Sequence, residues 1–269
     1  MAKTSRVRVH HLQQAKDSGE KITMLTAYDA LVAPIFESAG VDTLLVGDSL
    51  GNVVLGFDST IPVSLDDMVR ATGAVSRSVS RPLIIADLPF GTYESGVEAA
   101  FDSSVALMKA GAHAIKLEGG VSRASIIAGL VANGIPVMGH IGYTPQAEHA
   151  LGGPRLQGRG NAAQRLIEDA IAVEKAGAFG IVLEMVPGKL AAEVTRKLSI
   201  PTIGIGAGPD CDGQVLVWSD MAGMTDWSPR FARRFGEVGT ALREAASDYV
   251  NAVVSDSFPS AEHTRENHE

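Results

Sequence analysis

Nine side chains able to do chemistry stand at or just beyond the ends of short apolar runs: Asp29, Asp48, Ser49, Asp87, Lys116, Glu118, His140, Glu184 and Asp220. Carboxylates in such places repel one another and resist leaving water unless something positive sits among them. Asp48, Asp87 and Glu118 follow consecutive apolar runs, so their side chains can converge, and a divalent cation is the simplest counter-charge. Oxygen ligands without cysteine, and with at most one histidine nearby, suit hard Mg²⁺ better than zinc. The ordinary alternative is that each acid caps a following helix or pairs with Arg or Lys, which explains one acid more easily than three together.

Lys116 precedes Glu118 by two residues, so in a strand both point to the same side. It is read either as the anchor for an anionic substrate group or as a structural partner of Glu118 or Asp87. Glu184 sits in the apolar run Ile181-Val182-Leu183-Glu184-Met185-Val186-Pro187, apart from the other acids. Apolar surroundings would raise its pKa and suit it to act as a general base. His140 is either a donor in the site or a core histidine bonded to a carbonyl. A carboxylate-bound metal, a nearby cation and a separate base suit enolisation of a 2-oxo acid: carbonyl polarised, carboxylate anchored on Lys116, proton removed by Glu184.

Elements must bring these groups together. Eight runs rich in Val, Ile and Leu read as buried parallel strands, at 22–29, 43–49, 83–89, 114–120, 137–142, 180–187, 201–208 and 213–220. Helical spacing covers 30–39, 64–79, 95–110, 122–132, 161–176 and 189–198, and 229–254 could supply a closing helix. Gly40, Gly111 and Gly177 end helices before strands two, four and six, whereas Pro82, Pro136 and Pro201 introduce strands three, five and seven. Such alternation fits a closed (β/α)8 TIM barrel filled in layers by alternate strands, and an open doubly wound sheet gives no reason for it. The expected organisation is an N-terminal segment 1–21, a candidate helix closing the barrel floor, a catalytic barrel over 22–254, and a polar tail over 255–269. The segment 143–159, with Gly152-Gly153-Pro154, is long for a connection and reads as an active-site cover.

Weaker candidates fall away. His113 begins its strand, on the wrong face for chemistry. Gly204-Ile205-Gly206-Ala207-Gly208 lacks dinucleotide and Walker spacing and reads as close packing. Cys211 stands alone between acids, without the positive setting that activates a thiol. A formal charge of −8 disfavours nucleic acid and anionic membranes and favours small-molecule substrates. One cysteine and no long apolar run suggest a soluble protein of a reducing, cytoplasmic compartment.

Five segments carry a family resemblance: Val46-Gly47-Asp48-Ser49-Leu50-Gly51, Lys116-Leu117-Glu118-Gly119-Gly120, Gly139-His140-Ile141-Gly142-Tyr143-Thr144-Pro145-Gln146, Gln157-Gly158-Arg159 and Pro201-Thr202-Ile203-Gly204-Ile205-Gly206-Ala207-Gly208. In this order they resemble the ketopantoate (3-methyl-2-oxobutanoate) hydroxymethyltransferase family, and the likeness continues to Phe258-Pro259 and Glu262-His263. The resemblance implies a TIM barrel that transfers a one-carbon unit from 5,10-methylenetetrahydrofolate to 3-methyl-2-oxobutanoate, giving 2-dehydropantoate for pantothenate and coenzyme A. It implies one Mg²⁺ per subunit on Asp48, Asp87 and Glu118, substrate contacts from Asp48, Ser49, Asp87 and Lys116, and Glu184 as proton acceptor. Cytoplasmic homo-oligomers, often decamers, are also implied. One rival is a metal-dependent lyase resembling the isocitrate lyase and phosphoenolpyruvate mutase group, which usually relies on a cysteine in a mobile loop; 143–159 contains none. Another is a barrel retained only for binding, which could have lost Glu184 or the acids at no cost.

Overall fold

The structure is a computed structural model in which residues 5–265 are described. The chain forms two compact units, Met1–Val217 and Trp218–Glu269. In the first, α1 (Val9–Ser18) precedes eight strands: β1 (Ile22–Thr26), β2 (Thr43–Val46), β3 (Leu83–Asp87), β4 (Ala114–Glu118), β5 (Val137–Gly142), β6 (Gly180–Glu184), β7 (Thr202–Ile205) and β8 (Gly213–Leu216). Each pairs in parallel with the next, and β1 pairs with β8, so the sheet closes into a (β/α)8 barrel. The connections carry α2 (Ala33–Ser38), α3 (Leu50–Val53), α4 (Leu65–Ser78), α5 (Val97–Ala110), α6 (Ala124–Ala132), α7 (Glu148–Leu151), α8 (Ala162–Lys175) and α9 (Gly188–Lys197). The second unit contains α10 (Trp218–Ala222) and α11 (Val238–Val254).

Every residue of β3 and β4 is buried, which is why these strands read as apolar runs broken only by Lys116 and by the acids that end them. Met24, Leu45, Ile85, Met138, Val182, Ile203 and Val215 share one buried cluster, the filling expected of an eight-stranded barrel. Leu12 of α1, 2% exposed, joins that cluster together with Val7 and with Ile22 and Leu83, which begin their strands. Gly40, Gly111 and Gly177 adopt φ of +91°, +114° and +94°, the left-handed exits that the glycine spacing calls for. At the amino ends of the strands, Ile84 N donates to His113 Nδ1 (3.0 Å) and Arg6 Nη1 lies 2.8 Å from His113 Nε2, a structural setting away from the acids.

Several strands stop earlier than their apolar runs. β1 ends at Thr26 and β2 at Val46, which leaves Asp29, Asp48 and Ser49 on the loops beyond. Asp220 is not at the end of a strand: β8 stops at Leu216, and Asp220 lies in α10 of the second unit. The helix expected over 229–254 begins only at Val238, since Pro229 and Gly236 interrupt the turns before it. The 143–159 segment is partly structured: Pro145–Ala147 forms a 3-10 turn that runs into α7, and Gln157 N donates to Met185 O at 2.8 Å. Among the described residues, no helix is long and apolar enough to cross a membrane.

Candidate active site

Strand alternation fixes which side chains meet. Two-residue periodicity turns Asp87, Lys116, Glu118, His140 and Glu184 into the barrel at its carboxyl end, and the loop residues Asp48 and Ser49 join them around one cavity of about 100 Å³. Register supplies the neighbours: Asp87 lies opposite Lys116, and Glu118 opposite His140. All the side chains expected at the site on sequence grounds, apart from Asp29 and Asp220, line this cavity. Asp29 follows the capping alternative, its Oδ1 accepting from Leu31 N (2.7 Å) and Val32 N (2.9 Å).

The contacts are dense and charged. Lys116 Nζ is 3.0 Å from Asp87 Oδ1 and 3.3 Å from His140 Nδ1. His140 stands between two carboxylates, its Nδ1 3.4 Å from Glu118 Oε1 and its Nε2 3.2 Å from Glu184 Oε2. The Nε2 contact lacks hydrogen-bond geometry, so the attraction there is ionic. The His140 ring therefore faces two carboxyl groups and the Lys116 amine. Glu184 shares the cavity with the apolar Val182, Ile205 and Val215, but its side chain is 16% exposed and faces His140. The next residue, Met185, has φ of +48°, a left-handed conformation unusual for a side chain of this size.

Burial and mutual repulsion set the protonation of the acids. Burial, then the charges of Asp87 and Glu118, push Asp48 up to about 8 against the pull of Lys116. Asp87 is raised too, by burial, although Lys116 opposes the shift. Burial drives His140 down, as does Lys116, but Glu118 and Glu184 outweigh them and lift it to about 9. Lys116 is raised despite its burial, because Asp87, Glu118 and Asp48 surround it.

Three buried carboxylates, with Asp48 raised by burial and then by the charges of the other two, fit a hard divalent cation in donor type. They are not already gathered as a cage: among the described residues, no group of three His, Cys, Asp or Glu is arranged to hold a metal ion. The reason lies in competing partners. Lys116 engages Asp87, Gln146 Nε2 donates to Asp48 Oδ2 (2.8 Å), and Gln146 N donates to Glu118 Oε2 (3.0 Å).

Comparison with known proteins decides the family. The sequence model of ketopantoate hydroxymethyltransferase matches residues 6–261. The chain belongs to that family. It is 56% identical over 261 residues to the 3-methyl-2-oxobutanoate hydroxymethyltransferase of Mycolicibacterium paratuberculosis, covering 96% of this chain and 92% of the relative. The protein of that name from Rhodococcus jostii is 54% identical, over 96% of this chain and 90% of its own length. Among solved structures, a phosphonopyruvate hydrolase bound to oxalate and Mg²⁺ aligns with TM-score 0.60 at 18% identity, covering 95% of this chain and 92% of that one. A phosphoenolpyruvate phosphomutase from Streptomyces platensis aligns with TM-score 0.62 at 14% identity, over 96% and 92%. At these identities the likeness is one of fold.

In this ketopantoate hydroxymethyltransferase family member, several of the motifs meet around one cavity, with two participants that reading by residue type passed over. Gln146 is 6% exposed, and besides Asp48 and Glu118 it reaches Leu88 O at 2.9 Å. The Tyr93 hydroxyl donates to its Oε1 at 2.5 Å. Gln146 ends the Gly139–Gln146 motif, directly after Thr144-Pro145, and that position was the available signal. Tyr28 was also missed; its hydroxyl lies 2.8 Å from Ser49 Oγ. Cys211 is fully buried in the β7–β8 connection, and burial raises its thiol, so it cannot serve as the loop cysteine of the lyase group. Gly204 packs against the Cys211 side chain, in keeping with a packing role for that glycine-rich stretch.

Proposed function

We infer that this protein transfers a hydroxymethyl group from 5,10-methylenetetrahydrofolate to 3-methyl-2-oxobutanoate, giving 2-dehydropantoate. The observation that carries this reading is the joining of acids, ammonium and base in one cavity: Asp48, Asp87, Glu118 and Lys116 on one side, Glu184 on the other, and His140 between them. A cavity of about 100 Å³ is in keeping with a small 2-oxo acid.

In this reading Lys116 and Ser49 hold the substrate carboxylate, and Asp48 and Asp87 orient the 2-oxo group. One Mg²⁺ per subunit, held by Asp48, Asp87 and Glu118, would supply Lewis acidity toward the negative charge that develops on the carbonyl oxygen. Binding it requires these carboxylates to exchange some contacts with Lys116 and Gln146. Glu184 accepts the C3 proton, and the electron pair of the broken C–H bond becomes the enolate. C3 then bonds to the one-carbon unit as that carbon leaves the folate nitrogens. One water is consumed overall, and its oxygen becomes the product hydroxyl. His140, in contact with Glu184, steadies the carboxylate as it gains and returns the proton.

We further assign the protein to the cytoplasm as a homo-oligomer, decameric by family resemblance. Supporting self-association, α11 has no buried residue along its length while Leu242, Tyr249, Val250 and Val254 are exposed. Two assays test the activity: release of tetrahydrofolate on mixing both substrates with Mg²⁺, and loss of the C3 hydrogen signal of 3-methyl-2-oxobutanoate in heavy water by NMR. Absence of both would sink the reading.

A further inference from the structure

Among the described residues, Met185 (φ +48°) and Asp256 (φ +53°) are the non-glycine residues with positive φ, and of the two only Met185 lies in the barrel unit. Neighbouring turns use glycine for this conformation: Gly119 (φ +119°) follows Glu118 at the end of β4, and Gly206 (φ +62°) follows Ile205 at the end of β7. A Cβ is crowded in the left-handed region, so a methionine stays there only where its surroundings hold it. Three backbone hydrogen bonds do so. Met185 N donates to Ile205 O (2.9 Å), Tyr143 N donates to Glu184 O (2.8 Å), and Gln157 N donates to Met185 O (2.8 Å). We propose that Met185 is a positioning residue whose left-handed turn aims the Glu184 carboxylate, and that the Gln157 N–H keeps it in that turn; this rests on Glu184 being the base of the reaction above.

Placement in the chain supports it. Glu184 is the last residue of β6 and lies opposite Ile205 in register. An extended residue at 185 would carry the strand onward. The left-handed turn instead takes the chain out toward α9, which begins at Gly188, while Val186 stays buried. Two of the three bonds come from the ends of the adjacent strands β5 and β7, and the third from the far end of the 143–159 segment. Glycine would rest in this turn unaided, whereas methionine leaves it once the bonds weaken. The aim of the base is thus conditional on the seating of the segment that reads as the active-site cover. Such conditions matter, because a misplacement of about 1 Å at a reacting group costs roughly a hundred-fold in rate.

The test ranks residues at position 185 by their tolerance of the left-handed region. Met185→Val and Met185→Asn are compared with wild type by C3 hydrogen exchange of 3-methyl-2-oxobutanoate in heavy water with Mg²⁺, and by calorimetric affinity for the same acid. Branching at Cβ opposes a left-handed backbone and asparagine accepts one, so Met185→Val should slow exchange roughly ten- to a hundred-fold and Met185→Asn less, although valine is nearer to methionine in polarity. Affinity for the 2-oxo acid should change by less than about two-fold in both. Gln157→Pro, which removes the N–H, should slow exchange as Met185→Val does, and adding Met185→Gly to it should recover most of the loss. Exchange in Met185→Val within about three-fold of wild type, slower exchange in Met185→Asn than in Met185→Val, or no recovery in the double variant overturns the proposal. A fall of 2-oxo acid affinity in step with exchange shows a structural role and overturns it as well. Wild-type exchange in Glu184→Gln overturns the base reading itself, and this proposal with it.

Discussion

Replacing Lys116 with methionine keeps the length of the side chain and removes the ammonium from among the buried acids. Lys116 Nζ and Asp87 Oδ1 are 3.0 Å apart, with both side chains 5% exposed or less. At that separation the attraction is about 5–6 kcal/mol for an effective dielectric of ~20, and desolvation of the two ions takes back several kcal/mol. The pair therefore contributes little net, but losing one partner strands the other. Metal-free Lys116→Met should lose about 3–5 kcal/mol at pH 7, with the cost limited by proton uptake on the carboxylates. Asp87→Asn should cost less, since Asp48 and Glu118 still surround the ammonium. The double variant should then be more stable than the sum of the two losses allows, by about 2–3 kcal/mol. Urea unfolding with chelator, followed by far-UV circular dichroism, measures all four corners of the cycle. Tryptophan fluorescence is the wrong probe, because Trp218 and Trp227 both lie in the second unit. A loss below about 1 kcal/mol for Lys116→Met, or additivity within ~0.5 kcal/mol, would refute the assignment of Lys116 as the counter-charge.

Glu184→Gln keeps the shape of the side chain but cannot take a proton, so C3 exchange in heavy water should slow by roughly two to four orders of magnitude while the 2-oxo acid still binds. Exchange at the wild-type rate would remove Glu184 from the mechanism. Chelation should abolish turnover and Mg²⁺ restore it, and Asp87→Asn should weaken Mg²⁺ and 2-oxo acid binding together by calorimetry; loss of maximum rate alone would show that the shared role is wrong. The metal-free protein should lose stability as pH rises from 6.5 to 9. His140, lifted to about 9, gives stability that is complete below its unfolded value of 6.5 and lost through 9, and Asp48, raised to about 8, acts in the same direction. Urea midpoints with chelator should fall over this range, less so in His140→Gln, and a rise would contradict the charges assigned. Gly142→Ala should destabilise the protein by more than about 1 kcal/mol, since Gly142 has φ of +96° and an added Cβ would meet Glu184 O at 2.1 Å. An unchanged urea midpoint would mean that the β5–β6 junction relaxes freely.

What the sequence made legible, and what it hid, follows from how strands present side chains. Eight apolar runs ending in polar residues identify a parallel barrel, because β3 and β4 are buried on both faces and carry polar residues only at Lys116 and at the acids that end them. The acids are legible for the same reason: Asp87 and Glu118 are the last residues of those strands. The chain neighbours of Glu184 describe only part of its surroundings. Leu183 is fully buried, but it points to the opposite face of β6, and the group that meets the carboxylate is His140 on the adjacent strand. Gln146 was hidden by a different cause. Its contacts with Asp48 and Glu118 span 98 and 28 residues of sequence and exist only because the turn after β5 folds back over the barrel mouth. A neutral amide also carries no charge to draw notice, although it is the group that can donate to two repelling carboxylates without adding to their burden. The same economy explains His140: placed between Glu118 and Glu184, it couples the proposed metal acids to the proposed base, so a substitution on either side should be felt on the other.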